Sequence, residues 1–255
     1  MIKRDFHIHS TYCDGKDSLE EIVIKAVEKE FEAIGFSSHA PIPFENDYAM
    51  KKEDVLKYVE EIAFLKKKYS GQIEIFCGTE LDYFSEIDTS LFDYTIGSVH
   101  TIYKDGVWLE VDFSKERLLA DVDKYYNGDI YSYIADYYKL VGDIRNKHNP
   151  DIIGHLDLVS KFNENLDIFK EDEKYLDIAY NAIDKLTETP AVFEINTGAI
   201  SRGYRTEPYP SIPLLKRIME RGGKIIINSD GHRKEDIGFC FEEAEDYIKK
   251  TGVSL

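Results

Sequence analysis

Cysteine is scarce in this 255-residue chain: Cys13, Cys77 and Cys240 are far apart and odd in number. That excludes a disulfide framework and leaves them as small packing residues, with Cys13 nearest the chemistry-bearing positions below. Positive charge is also in deficit, 32 Lys+Arg against 49 Asp+Glu, for a formal net charge of −17. Generic nucleic-acid binding neutralises phosphates with Lys and Arg, so no nucleic-acid partner is expected. No apolar run approaches the roughly 20 residues of a membrane span. The first fourteen residues lack the basic, apolar and small-residue layout of a secretory leader, so a cytoplasmic protein with no membrane partner is expected. Neither G-x-G-x-x-G nor G-x-x-x-x-G-K-[ST] occurs, which removes both common nucleotide-binding loops. Internal repeats, low-complexity tracts and Gly/Ser/Pro-rich linkers are missing too, and one domain spanning 1–255 is the expectation.

What is present is enough apolar material for a core, 43% hydrophobic and 13% aromatic, arranged in two alternating periods. Strands are expected at Lys3–Ile8, Ala33–Phe36, Gln72–Cys77, Tyr94–Val99, Asp151–Ile153, Ala191–Ile195 and Lys224–Ile227. Helices are expected at Ser18–Glu30, Lys52–Tyr69, Lys115–Tyr126, Asp129–Lys147, Asp172–Thr187, Ser211–Arg221 and Lys234–Lys249. Period-2 and period-3.6 segments thus take turns about seven times, which implies parallel βαβ units. At this length, a closed α/β barrel fits better than two Rossmann halves.

Six of the seven histidines stand at or just past the end of an expected strand: His7, His9, His39, His100, His155 and His232. Glu80 follows the third strand and Asp230 the seventh. The C-terminal ends of barrel strands are where βα loops converge on an active site. Asp5, His7 and His9 alternate, so an extended strand would point all three inward and Phe6 and Ile8 toward a helix layer. Such a polar row is costly to bury unless it binds something, and imidazole with carboxylate suits a divalent metal such as zinc, iron or manganese. Taken singly these residues say less: Asp14 in Asp14-Gly15 reads as a turn residue and Glu80 as a surface acid. His148 reads as a solvated helix-terminal residue and not as a ligand.

With those residues placed, the chain resembles the polymerase-and-histidinol-phosphatase (PHP) superfamily of metal-dependent phosphoesterases. The matching pieces are Asp5-Phe-His7-Ile-His9-Ser10, Ser38-His39, Gly78-Thr-Glu80, Gly97-Ser98-Val-His100, Gly154-His155-Leu-Asp157 and Ser229-Asp230-Gly231-His232. Glu194-Ile-Asn196-Thr-Gly198, the run through Arg202, Arg205 and Glu207-Pro-Tyr-Pro-Ser211, and His39-Ala-Pro41-Ile-Pro43-Phe44 are similar to the histidinol-phosphatase branch. The resemblance implies a distorted seven-stranded, TIM-like (β/α) barrel with its active site at the C-terminal face of the strands. It also implies up to three divalent metals (Mn, Fe or Zn). His7, His9, Glu80 and Asp230 would hold the first, Glu80, His100 and His155 the second, and Asp14, His39 and His232 the third. One departure concerns Asp14, where many relatives carry histidine; a carboxylate there shifts that site toward harder metals.

The implied activity is hydrolysis of a small-molecule phosphate monoester, L-histidinol phosphate first among them, by attack of a metal-bridging hydroxide on phosphorus. Asp230, Asp157 and His232 are the catalytic candidates, with Asp157 and Asp230 both open as the proton donor to the leaving alkoxide. Arg202 and Arg205 read as a phosphate fork in an otherwise acidic chain, with Lys161, just after His155-Leu-Asp157, a weaker candidate. Tyr204 and Phe44 are candidates to pack on a substrate ring. Two other readings stay open: another phosphoesterase activity, on phosphotyrosine proteins or nucleic acid, and a non-catalytic metal-stabilised module.

Overall fold

The computed structural model describes residues 2–164 and 168–252. Seven strands form one parallel sheet: β1 (Arg4–Ile8), β2 (Ala33–Phe36), β3 (Glu74–Asp82), β4 (Tyr94–Ser98), β7 (Ile152–Ile153), β8 (Val192–Asn196) and β9 (Lys224–Asn228), neighbouring in that order. Ile8 bridges Gly231 in parallel, and the His9 and Gly231 amides donate across the gap, so the sheet curls into a nearly closed barrel. The crossovers are α1 (Leu19–Glu28), α2 (Val55–Lys68), α3 (Lys115–Tyr126), α4 (Ile130–His148), α5 (Glu173–Leu186), the single turn α6 (Gly198–Ser201) and α7 (Ile212–Glu220), with α8 (Phe241–Lys249) last. Parallel strands need such crossovers, and their helices cover the outer face. The first begins with a capping box, Ser18 and Glu21 satisfying each other's backbone amides, a device typically worth about 1 kcal/mol. None of the described helices is long and apolar enough to cross a membrane.

Alternation along the strands sorts the side chains. Ile34, Phe36, Ile75 and Cys77 pack outward with Leu19, Ile22, Tyr58 and Ile62 of the helices, and Phe193 packs into a second cluster with α5 and α7. Inward lie Gly35, Phe76, Gly78, Glu80, Tyr94 and Glu194. The Tyr94 ring occupies the space over Gly35 and Gly78, where a Cβ would sit 2.3 Å from its atoms, and its hydroxyl donates to the carbonyls of Phe6 and Phe36.

Four expectations change. β1 carries a register shift between Asp5 and Ile8, so Asp5 leaves the inward row: its carboxylate accepts from the Ser229, Gly238 and His7 amides. Phe6 turns inward instead, onto Phe76 and Tyr94. β3 runs on to Asp82 because it changes partner at Cys77/Gly78, pairing β2 before and β4 after, so Glu80 lies within a strand. The last helix is interrupted, since Gly238 and Cys240 both take positive φ between a 3-10 turn and α8. Finally, β5 (Thr101–Lys104) and β6 (Val107–Glu110) form a hairpin turning on Asp105-Gly106, both at positive φ. Asp-Gly between β-branched and aromatic residues is its sequence signal.

Candidate metal centre

Every strand-end residue singled out above reaches one place. Glu80 is its hub: Oε2 lies 3.2 Å from His7 Nε2, 3.5 Å from His9 Nε2 and 3.0 Å from His39 Nδ1, while Oε1 lies 2.9 Å from His155 Nε2 and 3.4 Å from His100 Nε2. Asp230 Oδ1 is 3.1 Å from His9 Nε2 and 3.7 Å from His7 Nε2. Asp14 Oδ2 is 3.1 Å from His232 Nε2, and its Oδ1 is 3.8 Å from both His9 Nδ1 and His39 Nε2. Three groups of ligand atoms are close enough to share an ion: His7, His9 and Asp230; His39, Glu80 and His100; His9, Asp14, His39 and His232. The third matches the implied third site with His9 added, and His39 faces two groups rather than one.

The residues fit divalent metals on internal grounds. His7 Nε2, His9 Nε2, Glu80 Oε2 and Asp14 Oδ1 are buried without a hydrogen-bond partner, yet the first two face Glu80 Oε2 and the last faces His9 Nδ1 and His39 Nε2. Orphaned polar atoms at this density are costly unless a cation satisfies them. Electrostatics agree. Burial alone would raise the Glu80 carboxyl, but His7, His39 and His100 outweigh it and hold Glu80 well below the usual range. Burial is likewise outweighed at Asp230, here by Arg202 and His7. Burial with His232 and His39 pushes His9 down to about 3, keeping it neutral as a ligand must be; against burial, Glu80 and Asp14 lift His39 to about 9, a proton that a bound metal would have to displace.

Beside the cluster lies a cavity of about 540 Å³, lined by metal-ligand candidates and by Lys16, Asp47, Tyr48, Glu110, Asp112, Lys161, Arg202, Tyr204 and Arg233 among others. The expected substrate contacts divide here. Lys161 and Tyr204 line the cavity together, the Lys161 ammonium 4.7 Å from the Tyr204 ring centre and 2.9 Å from Asp112 Oδ2. Arg202 also lines it, bound to the Asp230 carboxylate and carbonyl. Arg205 does not: its Nη1 donates to Ser160 and its guanidinium covers the Tyr209 ring. Phe44 stacks on Trp108 of the hairpin, in a neighbouring depression. Asp157 is fully buried with Oδ2 accepting from the Ser211 amide, away from the cavity lining. His148 is no solvated residue; its Nε2 meets the carbonyls of Asp82 and Tyr83.

A family model, the PHP domain, matches residues 5–198. The chain belongs to the PHP domain family. Among curated proteins it is similar to the "Probable histidinol-phosphatase" of Schizosaccharomyces pombe, 27% identical over 97% of this chain and 86% of that one. It is equally similar to the histidinol-phosphatase of Bacillus subtilis, 27% identical over 95% and 98%. Two solved structures share the fold at 23% identity. One, from Listeria monocytogenes, has a TM-score of 0.78 over 94% of this chain and 99% of that one. The other is histidinol phosphate phosphatase from Lactococcus lactis complexed with zinc, L-histidinol and phosphate, with a TM-score of 0.71 over 99% and 94%. As a PHP protein, this chain carries side chains that its sequence did not advertise. Glu194 meets His7 Nδ1 and the His155 amide, and Asp82 accepts from the His100 amide, so both support ligands from behind; a carboxylate in mid-strand, as in Glu194-Ile-Asn196, is the signal that points to the first.

Proposed function

We propose that this chain is a metal-dependent phosphomonoesterase that converts L-histidinol phosphate and water to L-histidinol and phosphate, as a single-domain cytoplasmic enzyme of histidine biosynthesis. The observation that carries it is the convergence of His7, His9, Asp14, His39, Glu80, His100, His155, Asp230 and His232 around one buried point that opens on the cavity. Divalent metals (Mn, Fe or Zn, up to three) would supply acidified water and charge neutralisation at phosphorus. Around them, Arg202, Lys16 and Arg233 in the lining would offer cationic groups to the phosphoryl oxygens. Asp47, Glu110 and Asp112 are near neighbours elsewhere in that lining, Asp112 pairing with Lys161 and Glu110 lying within reach of the Arg117 charge. The acidity left over suits the ammonium group of histidinol. Of the two proton-donor candidates, Asp230 lines the cavity and Asp157 does not; held ionised beside Arg202 and His7, Asp230 could hand the leaving alkoxide only a proton it had first taken from the attacking water.

The test is phosphate release from L-histidinol phosphate by protein loaded with manganese, iron or zinc in turn. A phosphotyrosine peptide, nucleoside monophosphates and p-nitrophenyl phosphate run beside it. Strong preference for histidinol phosphate, lost on chelation, is the expected result. Activity on the generic ester alone would keep the phosphatase and discard the substrate. No hydrolysis with any metal would revive the non-catalytic module.

A further inference from the structure

Glu194 lies on β8, is 1% exposed, and is not part of the lining of the cavity beside the cluster. Four hydrogen-bond donors converge on its two oxygens. Oε1 lies 2.6 Å from His7 Nδ1 and accepts from Asn228 Nδ2 at 2.9 Å, while Oε2 accepts from the His155 amide at 3.0 Å and from Asn196 Nδ2 at 2.8 Å. Both asparagines are oriented from their far sides, because Asn228 Oδ1 accepts from the Phe6 amide and Asn196 Oδ1 from the Gly198 amide. Their NH2 groups must therefore face Glu194, and every neighbour of the carboxylate arrives as a donor.

We infer that Glu194 is a positioning residue that fixes His7 as the Nδ1–H tautomer, and with it the readiness of the first metal position. The inference rests on reading the cluster as a metal centre. An ionised carboxylate only accepts, so the imidazole nitrogen facing it must carry hydrogen. In the neutral imidazole that metal ligation requires, His7 Nε2 is then left with a lone pair, on the side where Glu80 and Asp230 lie 3.2 and 3.7 Å away. The same carboxylate also anchors the backbone of His155, a ligand of the neighbouring position, so one side chain ties the ends of β1, β7, β8 and β9 together. Glutamine is not an equivalent: its NH2 would have to meet one of four donors. A carboxylate behind a metal-bound histidine typically contributes 10–100-fold in metal affinity.

The experiment compares zinc affinity, by competition with a chromophoric chelator, in wild type and Glu194→Gln, with circular dichroism checking the fold. Zinc bound by wild type and weakened about 10–100-fold in the variant is the expected result, with activity recovering as zinc is raised. In parallel, 15N NMR of histidine-labelled, zinc-loaded wild type should show a proton on His7 Nδ1, a readout that does not depend on the variant folding. Unchanged zinc affinity in a folded Glu194→Gln, or a His7 Nδ1 without its proton, would overturn the inference. Failure of wild type to bind zinc at all would instead sink the metal centre beneath it.

Discussion

Arg202 grips Asp230 at two points: Nη2 donates to Oδ2 at 3.0 Å and Nη1 to the main-chain carbonyl at 2.9 Å. Asp230 Oδ1 is thereby left facing His7 and His9. A guanidinium that orients a metal ligand cannot act on phosphate alone. Arg202→Ala is therefore expected to lower kcat about 10–100-fold together with metal content, beyond any rise in KM. Steady-state kinetics alongside elemental analysis of the variant checks this; a pure KM effect at full metal loading would return Arg202 to the role of a simple phosphate contact.

His9 is shared between two ligand groups. His9→Ala should abolish hydrolysis and remove more than one metal equivalent, read as metal per chain after dialysis. Wild-type turnover in that variant would refute the ligand assignment.

Asp14 supplies an oxygen where imidazoles, His9, His39 and His232, make up the rest of its group. Asp14→His should move that position toward zinc and away from manganese, because nitrogen donors favour the softer ion. Metal competition between the two proteins measures the change, and identical preferences would count against Asp14 as a ligand.

Arg205 belongs to the framework: it holds Ser160 and caps Tyr209 under the cavity. Arg205→Ala is expected to cost about 2 kcal/mol of stability while leaving KM near the wild-type value. Urea denaturation and kinetics on the same preparation separate the two effects.

The Asp112–Lys161 pair predicts an acid limb. Burial alone would raise the Asp112 carboxyl, but Lys161 and His100 bring it down to about 2, below its ordinary value of 3.8. A depressed carboxyl contributes stability that is present above about pH 4 and lost as the pH falls through about 2. Asp112→Asn should be less stable than wild type at neutral pH, by on the order of 1–2 kcal/mol. The gap should narrow between pH 4 and 2 in denaturation curves taken along that range.

Much of this was legible in the residues. The alternation of periods implies the barrel, and histidines collected at strand ends mark its C-terminal face. Local rules failed where tertiary contacts decide. The expected third strand ends at Cys77, yet β3 continues by changing partner to β4 there, with Gly78 leaving room for Tyr94. Asp5 looks like a third member of an inward row until the register shift in β1 turns it away. Arg205 and Phe44 occupy the right loops, but loop proximity does not say which way a side chain leaves the backbone. Glu194 stayed without a role because its partners arrive from three other strands.

The Tyr94 ring, set into the hollow left by Gly35 and Gly78 and tied by its hydroxyl to β1 and β2, makes the barrel a cup instead of a tube. Substrate and both products must share one mouth, and that mouth is built from the segments after each strand. A change of diet in this scaffold can therefore be confined to its rim, around Tyr48, the β5–β6 hairpin and Tyr204, while the floor and the ligand ring beneath stay as they are.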